Sequence, residues 1–381
     1  MRLRNSARSF AFTLALVGSA TCYAQDGEPS LAPPEEAAPA ASGLKATLRD
    51  WGITGSARGA YWSSNRLGDD ESHLGVGQFW AKLDRKLGKG MGVFAEGYLG
   101  EEDIFGYKRS TNRVREAYFD FRHEQWDFRF GKQLVAWGRT DRLNPTDNLT
   151  PRDFTLLSPE FDEDRFGSLA AKAALNWGKG NSLTMVWLPD FESHEFAFTN
   201  TPAVTFNHQK PSSARQFGVK YDVSGGDIDW SVSFYDGFDL TPDVSLAQAT
   251  ATHALINLTH NRIKVLGADA ATTRGANRYA VEAAYTHTED SNGTNPAIKN
   301  PHFYGVFGLE HDFTNNLSGI VQYFYRHVFH FSPLDGISDP DVRNAATNNA
   351  VLNNQYDENQ HGLSARIAKK WMNETLEGEF A

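Results

Sequence analysis

Apolar and polar side chains alternate along segments of about ten residues through most of this chain. The stretch Arg115–Phe130 shows the unit. Ala117, Phe119 and Phe121 fall on one face, continued by Trp126, Phe128 and Phe130; Glu116, Tyr118 and Asp120, then Asp127 and Arg129, fall on the other. A period of two belongs to a β-strand, whose side chains point to opposite sides in turn. The pattern predicts strands over Gly52–Trp62, His73–Leu87, Met91–Leu99, Arg113–Phe121, Trp126–Val135, Gly167–Trp177, Ser182–Leu188, Gln216–Val223 and Ile228–Asp236. Five more follow over Asn261–Ala270, Tyr279–His287, His302–His311, Leu317–His330 and His361–Lys369.

The connections separate two kinds of all-β protein. Short ones fall at Gly88–Gly90, Arg122–Gln125, Gly178–Asn181, Ser224–Asp227, Ala271–Asn277, Asp312–Asn316 and Lys370–Glu374, with the Gly and Asn residues that tight hairpins use. Long polar ones fall at Ser63–Glu71, Gly100–Asn112, Ala136–Phe166, Pro189–Arg215, Gly237–His260, Thr288–Pro301 and Phe331–Gln360. Short and long alternate without exception. A soluble sandwich has no reason to keep that order, whereas outer-membrane barrels pair short periplasmic turns with long external loops. The expected fold is all-β: a transmembrane antiparallel up-and-down β-barrel of at least fourteen strands. Leu376–Ala381 starts a fifteenth strand, and single-chain barrels have even strand numbers. The sequence therefore suggests about sixteen to eighteen strands, with the closing strand or strands beyond Ala381.

Residues 1–24 have the form of a secretory signal: basic Arg2, Arg4 and Arg8, an apolar Phe10–Ala20, and the small-x-small site Cys22-Tyr23-Ala24. Residues 25–43, rich in Pro, Ala and Glu, are expected to be a disordered periplasmic spacer, leaving 44–381 for the barrel. Cleavage after Ala24 removes the one cysteine, and with it disulfides and thiol chemistry. A mean hydropathy of −0.49 argues against a helical membrane protein. The 13% aromatic content, with 26 Phe and 33 Gly, matches the aromatic girdles and tilted strands of a barrel. A net charge of −10 gives no support to nucleic-acid binding.

A four-residue turn at Arg122–Gln125 would pair Phe121 with Trp126 and Phe119 with Phe128, and set Tyr118 opposite Arg129 with Glu116 and Asp120 diagonal to it. The same polar face holds Lys172, Lys220, Asp229, Glu282, Gln322, Arg326 and Arg366. Charges facing lipid cost several kcal/mol, so these residues, with Glu116, Asp120, Asp127 and Arg129, are the candidate lumen lining.

One connection differs from the rest. Residues 136–166 place Arg139, Arg142, Arg152 and Arg165 among acids that include Asp141, Asp147, Asp153, Glu160, Asp162, Glu163 and Asp164, with Trp137, Pro145 and Pro151. A charge-dense, stiffened loop can fold into a barrel and set a constriction across which both signs create a field. The candidate constriction residues are Trp137, Arg139, Asp141, Arg142, Asp147, Arg152 and Asp153; the competing expectation is local pairing on a solvated loop. Asp162-Glu163-Asp164 lacks the spaced ligands and Gly of a calcium loop, so no metal site and no cofactor is assigned.

Gly131-Lys132-Gln133-Leu134-Val135-Ala136-Trp137-Gly138, leading into Leu143-Asn144-Pro145, resembles a stretch of proteobacterial outer-membrane barrels near the alginate-export and substrate-specific porin families. The resemblance covers some thirty residues and implies passive passage or export of a particular solute class, without identifying it. No nucleophile elbow, His-Glu-x-x-His or Cys–His zinc pattern points to an enzyme. The expected function is a porin-like channel whose partners are the bilayer and lipopolysaccharide, the barrel-assembly machinery and a small solute. The alternative is a non-conducting interaction barrel, an adhesin or assembly scaffold, working through its external loops.

Overall fold

The computed structural model describes residues 43–381 apart from 64–72, 103–108, 157, 159–160, 212–214, 315 and 373–375. The expected signal, nearly all of the spacer, most of Ser63–Glu71 and Glu160 thus lie outside the described residues. The strands are β1 (Ile53–Ser63), β2 (His73–Gly88), β3 (Met91–Glu102), β4 (Arg109–His123), β5 (Trp126–Gln133), β6 (Ser168–Trp177), β7 (Asn181–Leu188), β8 (Val204–Gln209) and β9 (Gln216–Val223). They continue with β10 (Asp229–Phe238), β11 (Asp243–Ala249), β12 (Ala254–Thr259), β13 (Arg262–Arg274), β14 (Asn277–Thr288), β15 (His302–Phe313), β16 (Leu317–Val328), β17 (Asn359–Trp371) and β18 (Leu376–Phe380). Helices α1 (Leu44–Asp50) and α2 (Pro340–Leu352) complete the elements used below.

Fifteen strands form one sheet in the order β1 to β7, β9, β10, then β13 to β18, so each neighbours the next in an up-and-down meander. All fourteen predicted strands are present, and Leu376–Phe380 is the fifteenth. The fold is all-β, antiparallel and up-and-down, as the alternation and its connections imply. β8, β11 and β12, inside two of the long connections, form a separate three-stranded sheet in which β8 runs parallel to β12.

The chain divides into two compact units. The smaller comprises residues up to 85 together with 95–114 and 157–160. In it α1 leads into β1, which pairs with β2 from Ile53 opposite Leu83 to Ser63 opposite His73. Trp80 is buried against Tyr98, ring centroids 4.6 Å apart, and its indole N–H donates to Gln78 at 3.0 Å. Phe79 and Leu99, one residue away in register, are exposed.

The larger unit holds residues 86–94, 115–156 and 161–381. Its strands expose one apolar face: Phe130, Leu169, Trp187, Leu266, Val281, Phe307, Val321 and Leu363 all point outward, Leu363 at 75% exposure. Opposite them the polar face is buried, with Gln133, Ser168, Ser231, Asp269, Glu282 and Gln322 each below a tenth exposed. This reverses a soluble protein, where the apolar side of a sheet is the covered one. Aromatics gather near the turn end of the apolar face, where Trp177, Tyr221 and Trp230 make ring contacts at 5.8 and 5.6 Å. Near the loop end, Tyr285 meets Phe329 at 5.6 Å and Tyr323 meets His361 at 6.3 Å.

The β4–β5 hairpin corrects the expected register. Phe121 lies opposite Phe128, Phe119 opposite Phe130, and Asp120, not Tyr118, opposite Arg129. The turn is the two residues Glu124-Gln125, with Glu124 at φ +53°. A slip of two residues leaves every side chain on its own face, so alternation cannot detect it. Likewise β13 and β14 pair down to Arg274 opposite Asn277, so the predicted Ala271–Asn277 connection is mostly ladder.

Candidate constriction on the polar face

Past Gln133 the chain leaves the end of β5 and lies back across the polar face, held first by apolar packing. Val135, Trp137 and Leu149 are buried with Ala170, Val186, Leu188, Tyr235, Ile263, Val265 and Ala284 in one cluster. Trp137 occupies space that Gly218 leaves on β9: a Cβ there would stand 2.7 Å from the indole. The sequence pattern marks Gly218 as polar-face by its spacing from Lys220 and Asp222.

The centre of the arrangement is Glu282 on β14, whose side chain is fully buried. Its Oε2 accepts from the backbone N–H of Arg139 at 3.0 Å, the N–H of Thr140 at 3.2 Å and the Thr140 hydroxyl at 2.8 Å. Its Oε1 accepts from the N–H and hydroxyl of Thr146, both at 2.8 Å. A carboxylate can accept about four hydrogen bonds, so this charge is satisfied by donors of one short segment. Gly138 makes the approach feasible. It adopts φ +104°, and a Cβ there would lie 2.5 Å from the carboxylate.

The segment's charges divide into two sets. Arg139 bridges Asp222 and Asp269, each at 2.6 Å, while Lys220 stands 3.5 Å from Asp222. Asp141 pairs with Arg366 at 3.0 Å, and Arg142, at φ +60°, pairs with Glu379 at 2.6 Å. Arg366 also reaches Glu379 at 3.2 Å, which closes a four-residue network. These three residues therefore span from the segment to the strands.

The second set pairs within the connection. Arg165 binds Asp147 and, at 3.2 Å, Asp162; Arg152 binds both oxygens of Asp164 at 2.9 Å. Buried Asp153 accepts from Thr155 N–H at 2.9 Å. Burial raises the carboxyl of Asp147 above the ordinary range despite Arg165, and raises Asp164 despite Arg152. The N–H of Arg152 donates to His194 Nδ1 at 2.9 Å, and burial lowers that imidazole to about 3, so it stays a neutral acceptor. Trp137, Asp147, Arg152 and Asp153 thus hold the segment's shape; Arg139, Asp141 and Arg142 face the strands.

The polar-face residues of the strands fall into three groups. Glu282 and Arg366 engage the segment as above, and Lys220 joins them through Asp222 and Asp269, the partners of Arg139. Glu116 accepts from Leu134 N–H at 2.8 Å where the segment begins. Arg129 lies over the Tyr118 ring at 3.9 Å with Asp120 and Lys172 opposite it on either side, and Asp127 pairs with Arg122 and accepts from Asn176 at 2.9 Å. Asp229 caps its own turn through Gly225 N–H at 2.8 Å, Gln322 is buried beside Gly308, and Arg326 lies over the Tyr304 ring at 4.5 Å. Sequence reasoning missed Asp222, Asp269 and Glu379, although Asp222 shares its face with Lys220 by spacing alone.

The segment separates two cavities. On the turn side, about 370 Å³ is lined by Arg139, Asp227, Asp229, Thr272, Arg274 and Arg278. On the loop side, about 180 Å³ is bounded by Asn144, Pro145 and Asn148 of the segment and by Lys299, His302 and Arg326. Above the latter, the long connections pack on one another. Lys299 pairs with Asp239, Asn349 of α2 accepts from Val244 N–H at 2.8 Å, and Asp243 accepts from Lys299 N–H at 3.0 Å and Asn261 at 2.8 Å.

No family model matches the chain, and no curated relative does. Solved structures with a similar arrangement include OmpT, an outer membrane protein of Vibrio cholerae (10% identity, 84% of this chain and 83% of that one, TM-score 0.46). Another is an anion-selective porin from Comamonas acidovorans (12% identity, 82% and 77%, TM-score 0.41). A third is the outer membrane channel DcaP of Acinetobacter baumannii (14% identity, 83% and 86%, TM-score 0.41).

Proposed function

We propose that this chain is a porin-like channel of a bacterial outer membrane. It passes a polar or amphiphilic solute through a charged lumen that residues 136–166 constrict. The observation that carries the reading is one sheet with an exposed apolar face and a buried polar face on which Glu282 pins a loop. Water leaves such an apolar face unfavourable by roughly 25 cal/mol per Å², and lipid removes that cost. Closed antiparallel sheets are the strand-built structures that satisfy their backbone in lipid. On this reading Glu116, Asp120, Asp127, Arg129, Lys172, Lys220, Asp229, Gln322, Arg326 and Arg366 line the lumen. Arg139, Asp141 and Arg142 border the aperture, and no residue is given a catalytic role.

The expected topology has a periplasmic N-terminus after removal of residues 1–24, short turns in the periplasm and the packed long connections outside. Bilayer lipid, lipopolysaccharide and the barrel-assembly machinery are then the partners. The test is reconstitution of the purified chain into planar bilayers, alongside a gel comparing heated and unheated samples. Stepwise conductance with heat-modifiable migration is expected; a folded, heat-modifiable protein that never conducts would overturn the channel. That outcome would favour the interaction barrel, for which the packed layer of β11, β12 and α2 offers a preformed surface.

A further inference from the structure

We propose that residues 331–355, with α2, are a latched lid on the loop-side cavity, and that this lid lifts while the constriction segment stays docked. The inference rests on the channel reading for what the lid controls, but not for the motion itself. Leu352, Asn353 and Asn354, at the end of α2, line that cavity together with Asn144, Pro145 and Asn148 of the segment. Among the described residues, the hydrogen bonds that join residues 331–355 to strands and other connections all meet positions 349–355. Asn349 accepts from Val244 N–H at 2.8 Å and donates to the Pro296 carbonyl at 3.3 Å. Asn353 donates to the Pro242 carbonyl and to Asp243 Oδ1, both at 3.3 Å. Gln355 exchanges two bonds of 2.8 Å with the backbone of Asn300. Arg326 Nη1 donates to the Asn353 and Asn354 carbonyls at 3.0 and 3.4 Å. Three amide side chains and one guanidinium thus form the latch.

The two sides of the cavity are fastened by different physics. The segment buries Trp137 and Leu149 and places five donors on the buried Glu282, so undocking it would expose an indole and strand a carboxylate. In α2 only Ala345, Ala346 and Asn349 are buried. Two methyl groups hide little apolar surface. Amide groups released to water exchange one set of hydrogen bonds for another, at small net cost. The ends of the stretch favour movement as well. His330 at φ +55° and Asn354 at φ +51° bracket it, and a left-handed backbone is costly for residues with side chains, so a swing relieves strain at both ends. The strand side of the first hinge is fixed, since Phe329 N–H donates to the Pro301 carbonyl at 2.9 Å and Asn300 Nδ2 to the His330 carbonyl at 3.0 Å. Moving elements are drawn from such weakly packed, hydrogen-bonded parts of a fold. On the channel reading, solute then enters the loop-side cavity when the latch opens, and the segment beyond it sets the aperture.

Thiol access reads the motion directly. Thr286 is buried and lines the loop-side cavity, whereas Thr272 lines the turn-side one. Thr286→Cys and Thr272→Cys are made separately in the full chain carrying Cys22→Ser, which removes the one native thiol. A bulky maleimide is then applied to the detergent-solubilised protein. With the latch released by Asn349→Ala and Gln355→Ala together, labelling of Thr286→Cys is expected to speed up at least tenfold, and that of Thr272→Cys to stay the same. An unchanged rate at position 286 in the folded double variant, or a rise shared by position 272, would overturn the lid. If the double variant does not fold, Gln355→Ala alone decides, with a rise of about threefold or more expected at position 286 only. Conductance measured on the same preparations separates the two readings. Latch-dependent access without conductance sinks the channel alone, and conductance with latch-independent access sinks the lid alone.

Discussion

The two faces of β9–β17 come from the same residues in strict alternation, yet they are built by different rules. The apolar face is generic: Phe217, Val281, Phe307 and Leu363 need only be greasy, and they make few contacts that fix their identity. The polar face is specific. Glu282 takes five close donors from Arg139, Thr140 and Thr146, and Gly138 is required for their approach. The difference teaches where change will be felt. Substituting the generic face should alter the energy of a surface, whereas substituting the specific one should release a whole segment.

The largest effect is expected of Glu282→Ala. It strands the N–H groups of Arg139, Thr140 and Thr146 in a buried site, at about 1–3 kcal/mol for each group left unsatisfied. The segment should then undock while the strands persist. Limited trypsin digestion should cut after Arg139 or Arg142 in the variant and spare the wild type, with heat-modifiable migration retained in both. An uncut variant would mean that the apolar cluster around Trp137, not the carboxylate, holds the segment.

Next comes Arg139→Gln, which leaves Lys220 as the cation beside Asp222 and the nearly inaccessible Asp269, the latter still accepting from the Ser231 hydroxyl. Losing one partner of a buried pair costs about 3–5 kcal/mol, less here because Lys220 remains. In the channel proposed above, the charge balance of the aperture shifts by one negative unit. Reversal potentials in a salt gradient should move towards cation preference, without loss of the folded barrel. An unmoved potential would place the conducting path away from Arg139.

How much of this was legible depends on the range of the interactions. Strand positions followed from a period of two because exposure to two media acts on each residue separately. The β4–β5 register did not, since a shift of two preserves the faces and the Glu124-Gln125 turn holds neither Gly nor Asn. β8 lies in a stretch the pattern assigns to a connection, since its pairing with β12 joins residues about fifty apart, such as Val204 with Ala254. α2 lies in the Phe331–Gln360 stretch that the pattern assigns to a connection; in the structure Asp339 caps it, accepting from Asp341 and Val342 N–H, with Pro340 in the first turn. The alternation puts Glu282 on the polar face, but its donors lie some 140 positions away and three of the five are backbone N–H groups, which no side-chain pattern encodes.

A milder contrast sits in the loop layer, outside the strands that span the membrane in the proposed reading. Burial pushes Asp243 up to about 6, from 3.8 when free, with Lys299 opposing. The folded layer thus binds this proton more tightly than the unfolded one. The stabilising contribution is complete below about pH 3.8 and is lost as pH rises through 6, on the order of 1–3 kcal/mol. Amide exchange in β11 and β12, corrected for intrinsic rates, should slow as pH falls from 7 towards 5. Asp243→Asn should flatten that dependence, and a dependence that persists in the variant would assign it to another group.

The smallest effect tests the generic face itself. Phe307 is half exposed, flanked in register by Val281 and Tyr323. If water covered this face, Phe307→Ser would change stability by no more than about 0.5 kcal/mol, as surface substitutions do. If lipid covers it, the lost apolar contact and the new hydroxyl together should cost about 1–3 kcal/mol. Urea titration of refolding into vesicles reads the difference, with conductance expected to stay at the wild-type value. Phe307→Leu serves as the control, since lipid accepts either side chain. A serine variant as stable as the leucine one would remove the membrane from the argument and leave the exposed apolar face of the sheet in need of a protein partner instead.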